Sequence, residues 1–169
     1  MPNFLDLPLI SRIRRNHGLE HATLTALAMR YPRGRIAGYS DPGGFWIVGN
    51  VETEILAEAA TEALERLRRG ERSLAVHPNC GTNFAVAGLF AGVAGALAML
   101  GSGKRMRDKL ERLPLAAALA TLALMIARPL ALRIQAQVTT SGEPGDLAVT
   151  QVLCRQKDGL TIHRVTTQG

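Results

Sequence analysis

The chain alternates between segments of mixed polarity and two long apolar blocks, and the period of the mixed segments predicts most of its elements. Pro8 suits the first position of a helix. Over residues 9–30 the side chains of Ile13, His17, Glu20, His21, Leu24 and Ala28 recur on one side at helical spacing, and Pro32 and Gly34 end that helix. Residues 35–39 and 45–48 are short β-prone runs around Ser40-Asp41-Pro42-Gly43-Gly44, a strong hairpin turn. Asn50 is a good helix cap, and residues 51–69 follow as an amphipathic helix with Val51, Ile55, Ala59, Ala63 and Leu67 on its apolar face. Acids crowd its first turns and Arg66, Arg68 and Arg69 its last, as the helix dipole favours. Residues 147–155 and 160–166 read as two strands joined by a turn at Lys157-Asp158-Gly159.

The apolar blocks change the picture from a small globule to a membrane protein. No residue in 78–103 is charged, and residues 82–100 are long enough to cross a bilayer core, which takes roughly 20 residues. Gly88 and Gly92 stand at GxxxG spacing with Ala91, Gly95 and Ala96 nearby, a pattern that predicts close approach of a second helix. A basic loop over 104–112 leads to that second helix, 113–132, with Arg128 and Arg133 snorkelling at its end. The expected fold class is α+β: an N-terminal domain of helix, β-hairpin and amphipathic helix (1–77), a two-helix transmembrane hairpin (78–134), and a C-terminal β-hairpin (135–169). The last is expected to pack on the first and complete a small sheet with residues 35–48.

The net charge of +6 is dispersed over arginines, with no basic stripe interleaved with aromatics, which speaks against nucleic acid. Beside apolar helices such a balance serves anionic lipid headgroups. The expected partners are therefore the lipid bilayer and, beyond it, a second copy of the chain or another membrane protein. Cys80 and Cys154 form no disulfide framework. Five basic residues in 101–112 favour placing that loop inside, whereas the N-terminus carries no basic-then-apolar signal sequence. Arg66, Arg68, Arg69 and Arg72 ahead of the first span weaken the loop's vote, so the soluble part is expected on the cytoplasmic side.

Two short motifs carry the chemistry. In His17-Gly18-Leu19-Glu20-His21 the histidines stand at i and i+4, so one helix face presents both to a single ion, with Glu20 beside them. This resembles the HxxEH arrangement of the inverted zincins, metallopeptidases in which a bound ion acidifies its water and the carboxylate takes the proton. Gly18, costly in mid-helix, would let another backbone approach the histidine face. In His77-Pro78-Asn79-Cys80-Gly81-Thr82 an imidazole and a thiol stand three residues apart at the mouth of the first apolar helix, and both suit zinc.

The pair of motifs, HGLEH and later HPNCGTNF, resembles an uncharacterised bacterial family of membrane proteins bearing HGxEH and HPxCGTxF. That resemblance implies an integral membrane domain with a joint His/Glu/His/Cys cluster, and it implies no reaction. The metal ligands expected are His17, His21, His77 and Cys80, with Glu54 or Glu58 as the zincin-like alternative for a third ligand. The cofactor is zinc or another divalent metal. Three functional classes follow. One is a membrane-anchored, zinc-dependent hydrolase, plausibly a peptidase, with Glu20 as base. A second is a structural metal module that acts through a partner protein, as four protein ligands would close the shell. The third is a thiol enzyme with Cys80 as nucleophile and His17, His21 or His77 as its base.

Overall fold

A computed structural model of the chain describes residues 4–169. Four antiparallel strands, β1 (Ala37–Asp41), β2 (Gly44–Val48), β3 (Ala148–Lys157) and β4 (Leu160–Gln168), form one sheet in the order β1-β2-β4-β3. The C-terminal hairpin therefore joins the N-terminal one through β2 and β4, with Phe45 opposite Val165 and Ile47 opposite His163. In the first hairpin the Asp41 carboxylate accepts the Gly43 N–H at 2.7 Å, a local bond that favours the turn. In the second, Asp158 and Gly159 both take positive φ, 52° and 77°, as a tight hairpin between twisted strands requires.

Alternation along the strands gives the sheet two unlike faces. Phe45, Ile47 and Val165 are fully buried against α1 (Pro8–Arg30) and α2 (Thr53–Arg68). On the other face Arg164 makes a paired bond to Asp41, both arms at 2.7 Å, and lies 4.8 Å over the Trp46 ring. The helices bury Leu19, Ala22, Ala26 and Leu27 from α1 and Leu56, Ala59, Ala63, Leu64 and Leu67 from α2. The buried positions of α1 thus extend beyond the one side that Ile13, His17, Glu20, His21, Leu24 and Ala28 mark. Leu24 is half-buried and Ala28 is exposed, while the positions around His17 and His21 face a different neighbour, described below. α2 starts at Thr53 rather than after Asn50, because Val51 is used in the core and the residue ahead of the helix is Glu52, which makes no side-chain cap bond. Gly70, at φ 93°, closes the helix with Gly70 N–H to Leu67 O and Glu71 N–H to Arg66 O, a Schellman ending.

The chain divides into two compact units, Met1–His77 with Ala136–Gly169 and Pro78–Gln135. The second unit is a hairpin of α3 (Gly81–Met99) and α4 (Met106–Ile134), and α4 runs on through a π-helical turn, Gln135–Thr139. Both helices, Gly81–Met99 and Met106–Thr139, are long and apolar enough to cross a membrane. Residues 106–112 are not a loop but the first two turns of α4, braced by an i,i+4 pair between Arg107 and Glu111 and by Asp108 accepting the Arg105 N–H. Pro114 and Pro129 lie inside this helix. The glycine pattern of α3 also differs from its expected use. A Cβ added at Gly88, Gly92 or Gly95 would meet nothing within 4 Å. The hairpin closes instead on alanines, with Ala91, Ala94 and Ala98 on the more buried face of α3 and Ala120, Ala127 and Ala131 on that of α4. Methyl-sized side chains on both helices already permit close approach.

Candidate metal centre

The middle of α1 is buried on every side, from Gly18 to Thr23. One side faces the sheet. The other is covered by the 3-10 turn Arg72–Ala75 and by the strand of chain that returns after α4. A Cβ at Gly18 would collide with the Ser141 carbonyl oxygen and stand 3.2 Å from the Ala75 methyl. Ser141 N–H in turn donates to Arg14 O at 2.9 Å, so the returning backbone is bonded to the helix that Gly18 lets it approach. The close approach of this returning backbone is the reason for a glycine in mid-helix.

This close seating orients both histidines of the first motif. His17 Nδ1 lies 2.9 Å from Thr139 O, and His21 Nδ1 lies 2.8 Å from Ala75 O. A carbonyl oxygen only accepts, so in each ring Nδ1 carries the proton and Nε2 keeps its lone pair. The rings stand 4.4 Å apart, centroid to centroid, at 61°. The ring of His77 is 5.7 Å from that of His21. The second motif therefore reaches the first within this unit, although 54 residues separate Ala75 from the histidine it fixes. Two imidazoles on one helical turn, each with Nδ1 tied to a backbone carbonyl, are the arrangement that metal-binding histidines need, because the second bond sets tautomer and ring angle.

Cys80 stands at the start of α3, three residues beyond His77, as a buried thiol outside any disulfide. His17 and His21, in the first unit, and Cys80, at the start of the second, are residues whose donor atoms could hold a metal ion. Glu20 is 3% exposed, and its carboxylate packs where Gly38 of β1 has no side chain, since a Cβ there would collide with Glu20 Oε1. The carboxylates weighed as a third ligand lie elsewhere. Glu58 is paired with Arg30 at 3.1 Å, and Glu54 is exposed on a groove between α2 and β3.

Sequence reasoning found the histidines but not what holds them, since the acceptors are the backbone carbonyls of Thr139 and Ala75 and no side-chain pattern marks them. It also passed over His163. That ring is fully buried, with Nε2 3.2 Å from Thr53 Oγ1 and Nδ1 lacking a partner, and burial pushes its pKa below the ordinary 6.5. It sits in the sheet's core and serves the fold.

A family model described as a domain of unknown function (DUF6391) matches residues 12–152, a stretch that contains both motifs. The chain belongs to this family. A further relative is an uncharacterized protein of Picosynechococcus sp., 45% identical over 98 residues, which cover 52% of this chain and 48% of the relative. The match thus spans about half the length of that protein. No solved structure matches the chain.

Proposed function

We propose that this member of the family is a membrane-anchored metalloprotein in which His17, His21 and Cys80 hold a zinc ion and Glu20 serves a hydrolytic reaction. The observation that carries the reading is the pair of Nδ1 bonds to Thr139 and Ala75, which orient both imidazoles on one turn of α1. Two imidazoles and a thiolate are a known zinc set, and three protein ligands leave the fourth position for substrate or water. A bound divalent ion supplies an acidified water and polarises a carbonyl. Glu20, on the turn between the histidines, would take the proton, and the ring of His77 lies 5.7 Å from that of His21. Zinc in place of another divalent ion follows from the thiol, which the harder, oxygen-preferring cations avoid. The apolar helices span the bilayer twice, with the soluble unit on the cytoplasmic side. Amide or ester bonds of substrates at the membrane surface are the chemistry such a site serves.

A second reading has its own support. The histidines bond the two places where the chain leaves and re-enters the soluble unit, next to Ala75 and Thr139, so an ion there would also staple the unit closed. Cobalt substitution separates the two. A hydrolytic site with an open position binds an added hydroxamate and changes the visible cobalt spectrum, whereas a closed structural shell leaves the spectrum unmoved. Glu20→Gln should keep the ion and lose turnover, because the amide has the same shape and takes no proton. His21→Ala should lose the ion. A purified protein that carries no metal, and whose stability ignores chelators, contradicts both readings and leaves the Cys80 thiol.

A further inference from the structure

Ahead of α1 the chain exposes apolar side chains that no element covers among the described residues. Phe4 is 67% exposed, Leu7 45% and Leu9 59%, three large hydrophobics within one short turn and the helix start that follows. Single exposed leucines are ordinary, whereas a cluster at one end of a unit marks a contact surface. Two observations say what covers it. The first is continuity with the apolar helices. The Arg14 guanidinium donates to Gln137 O at 2.9 Å and to Thr140 O at 3.2 Å, the one inside the π-helical turn that continues α4 and the other just past it. The start of α1 is thereby bonded to chain that, by covalent continuity, emerges from the hydrocarbon at α4's end. Val138, in that same stretch, is 44% exposed. From Arg14 back to Leu7 is seven residues, about 10 Å of helix at 1.5 Å per residue, the depth over which an interfacial helix lies among headgroups. The second is charge. Arg12, Arg14 and Arg15 follow within two turns, against Asp6 in the segment and Asp146 paired to Arg15; their other bonds go to the carbonyl oxygens of Thr167, Gln137, Thr140 and Pro144, which leave the group a net positive charge.

We propose that Phe4, Leu7 and Leu9 form a third membrane contact, an interfacial segment that lies among anionic phospholipid headgroups beside the end of α4. The segment holds the start of α1 at the bilayer surface. The inference rests on the reading of α3 and α4 as membrane spans, and its test keeps the two apart.

The full chain is placed in phosphatidylcholine–phosphatidylglycerol bilayers that contain brominated lipid. Trp46 is the sole tryptophan, so it is replaced by Phe and single reporters are introduced: L7W in the segment, L122W in α4 and E65W on the exposed side of α2. The expected result is that L7W loses most of its fluorescence to bromines placed shallow in the acyl chain, L122W loses its own to deep bromines, and E65W is untouched. If L122W is quenched and L7W behaves like E65W, the segment does not touch lipid and the proposal is overturned while the spans stand. If L122W is also unquenched, the membrane reading fails and takes this proposal with it. Loss of L7W quenching in favour of concentration-dependent self-association would assign the surface to a second copy and equally overturn it.

Discussion

Gly18→Ala is the substitution on which the account of the site is most exposed. In a solvent-facing helix the change would stabilise by about 1 kcal/mol, because alanine is the better helix former. Here the new methyl collides with the Ser141 carbonyl oxygen, and Ser141 is itself bonded to Arg14 O at 2.9 Å. The obstacle is backbone, so it yields only if the returning strand moves. Overpacking of this kind costs about 1–3 kcal/mol. Set against the propensity gain, the net is a loss of roughly 0–2 kcal/mol, or up to about 8 °C in melting temperature for a chain of this size. The greater effect falls on the metal. The strand that must move carries Thr139, whose carbonyl fixes His17 at 2.9 Å. Disturbing such a supporting bond typically lowers metal affinity about 10–100-fold. Competition with a chromophoric chelator in detergent, alongside thermal melting, reads both quantities. A Gly18→Ala protein with wild-type metal affinity and raised stability would refute the reasoning, since the glycine would then have no packing role.

Other outcomes follow from the same geometry. Gly92→Leu should leave the α3–α4 hairpin intact, because a side chain there meets open space; loss of folded protein in detergent would return the glycines to the interface. Asp41→Asn should cost about 1–3 kcal/mol by leaving Arg164 without its charged partner. Burial alone would raise the Asp41 pKa, but bonds from Arg164, Gly43 and Trp46 outweigh it and hold the carboxyl below its ordinary 3.8. Its contribution is therefore present above about pH 4 and lost as the pH falls through the lower, folded value, a limb absent from the variant's acid denaturation curve. His163 has the opposite sign of consequence. Its folded pKa lies below 6.5, so the unfolded chain takes up the proton first and stability declines as the pH drops from about 6.5. His163→Gln, which keeps a donor for Thr53, should flatten that decline in a pH series of urea melts.

The fold was legible where one residue pattern had one structural use. The face of α2 and the Asp158-Gly159 turn each satisfy a local rule, and the structure keeps both. The hairpin of α3 and α4 was legible as apolar length but not as packing. The GxxxG pattern of α3 invites a glycine interface, yet α4 offers alanines at matching spacing, and alanine against alanine leaves the glycines outside. At the site, the i,i+4 spacing of His17 and His21 announced a shared face. What orients that face is tertiary: Ala75 and Thr139 arrive from distant chain, and the pocket for Glu20 exists because Gly38 is bare. None of those contacts leaves a mark in the local sequence.

The central claim is that two imidazoles and one thiolate hold a metal with a position left over. X-ray absorption at the zinc edge of the purified, zinc-loaded protein tests it most directly. The account predicts two nitrogen scatterers at about 2.0–2.1 Å, one sulfur at about 2.3 Å and a single light oxygen scatterer, with the sulfur lost in Cys80→Ser. A shell of four protein donors with no oxygen, a spectrum without sulfur, or a protein that takes up no zinc would contradict it.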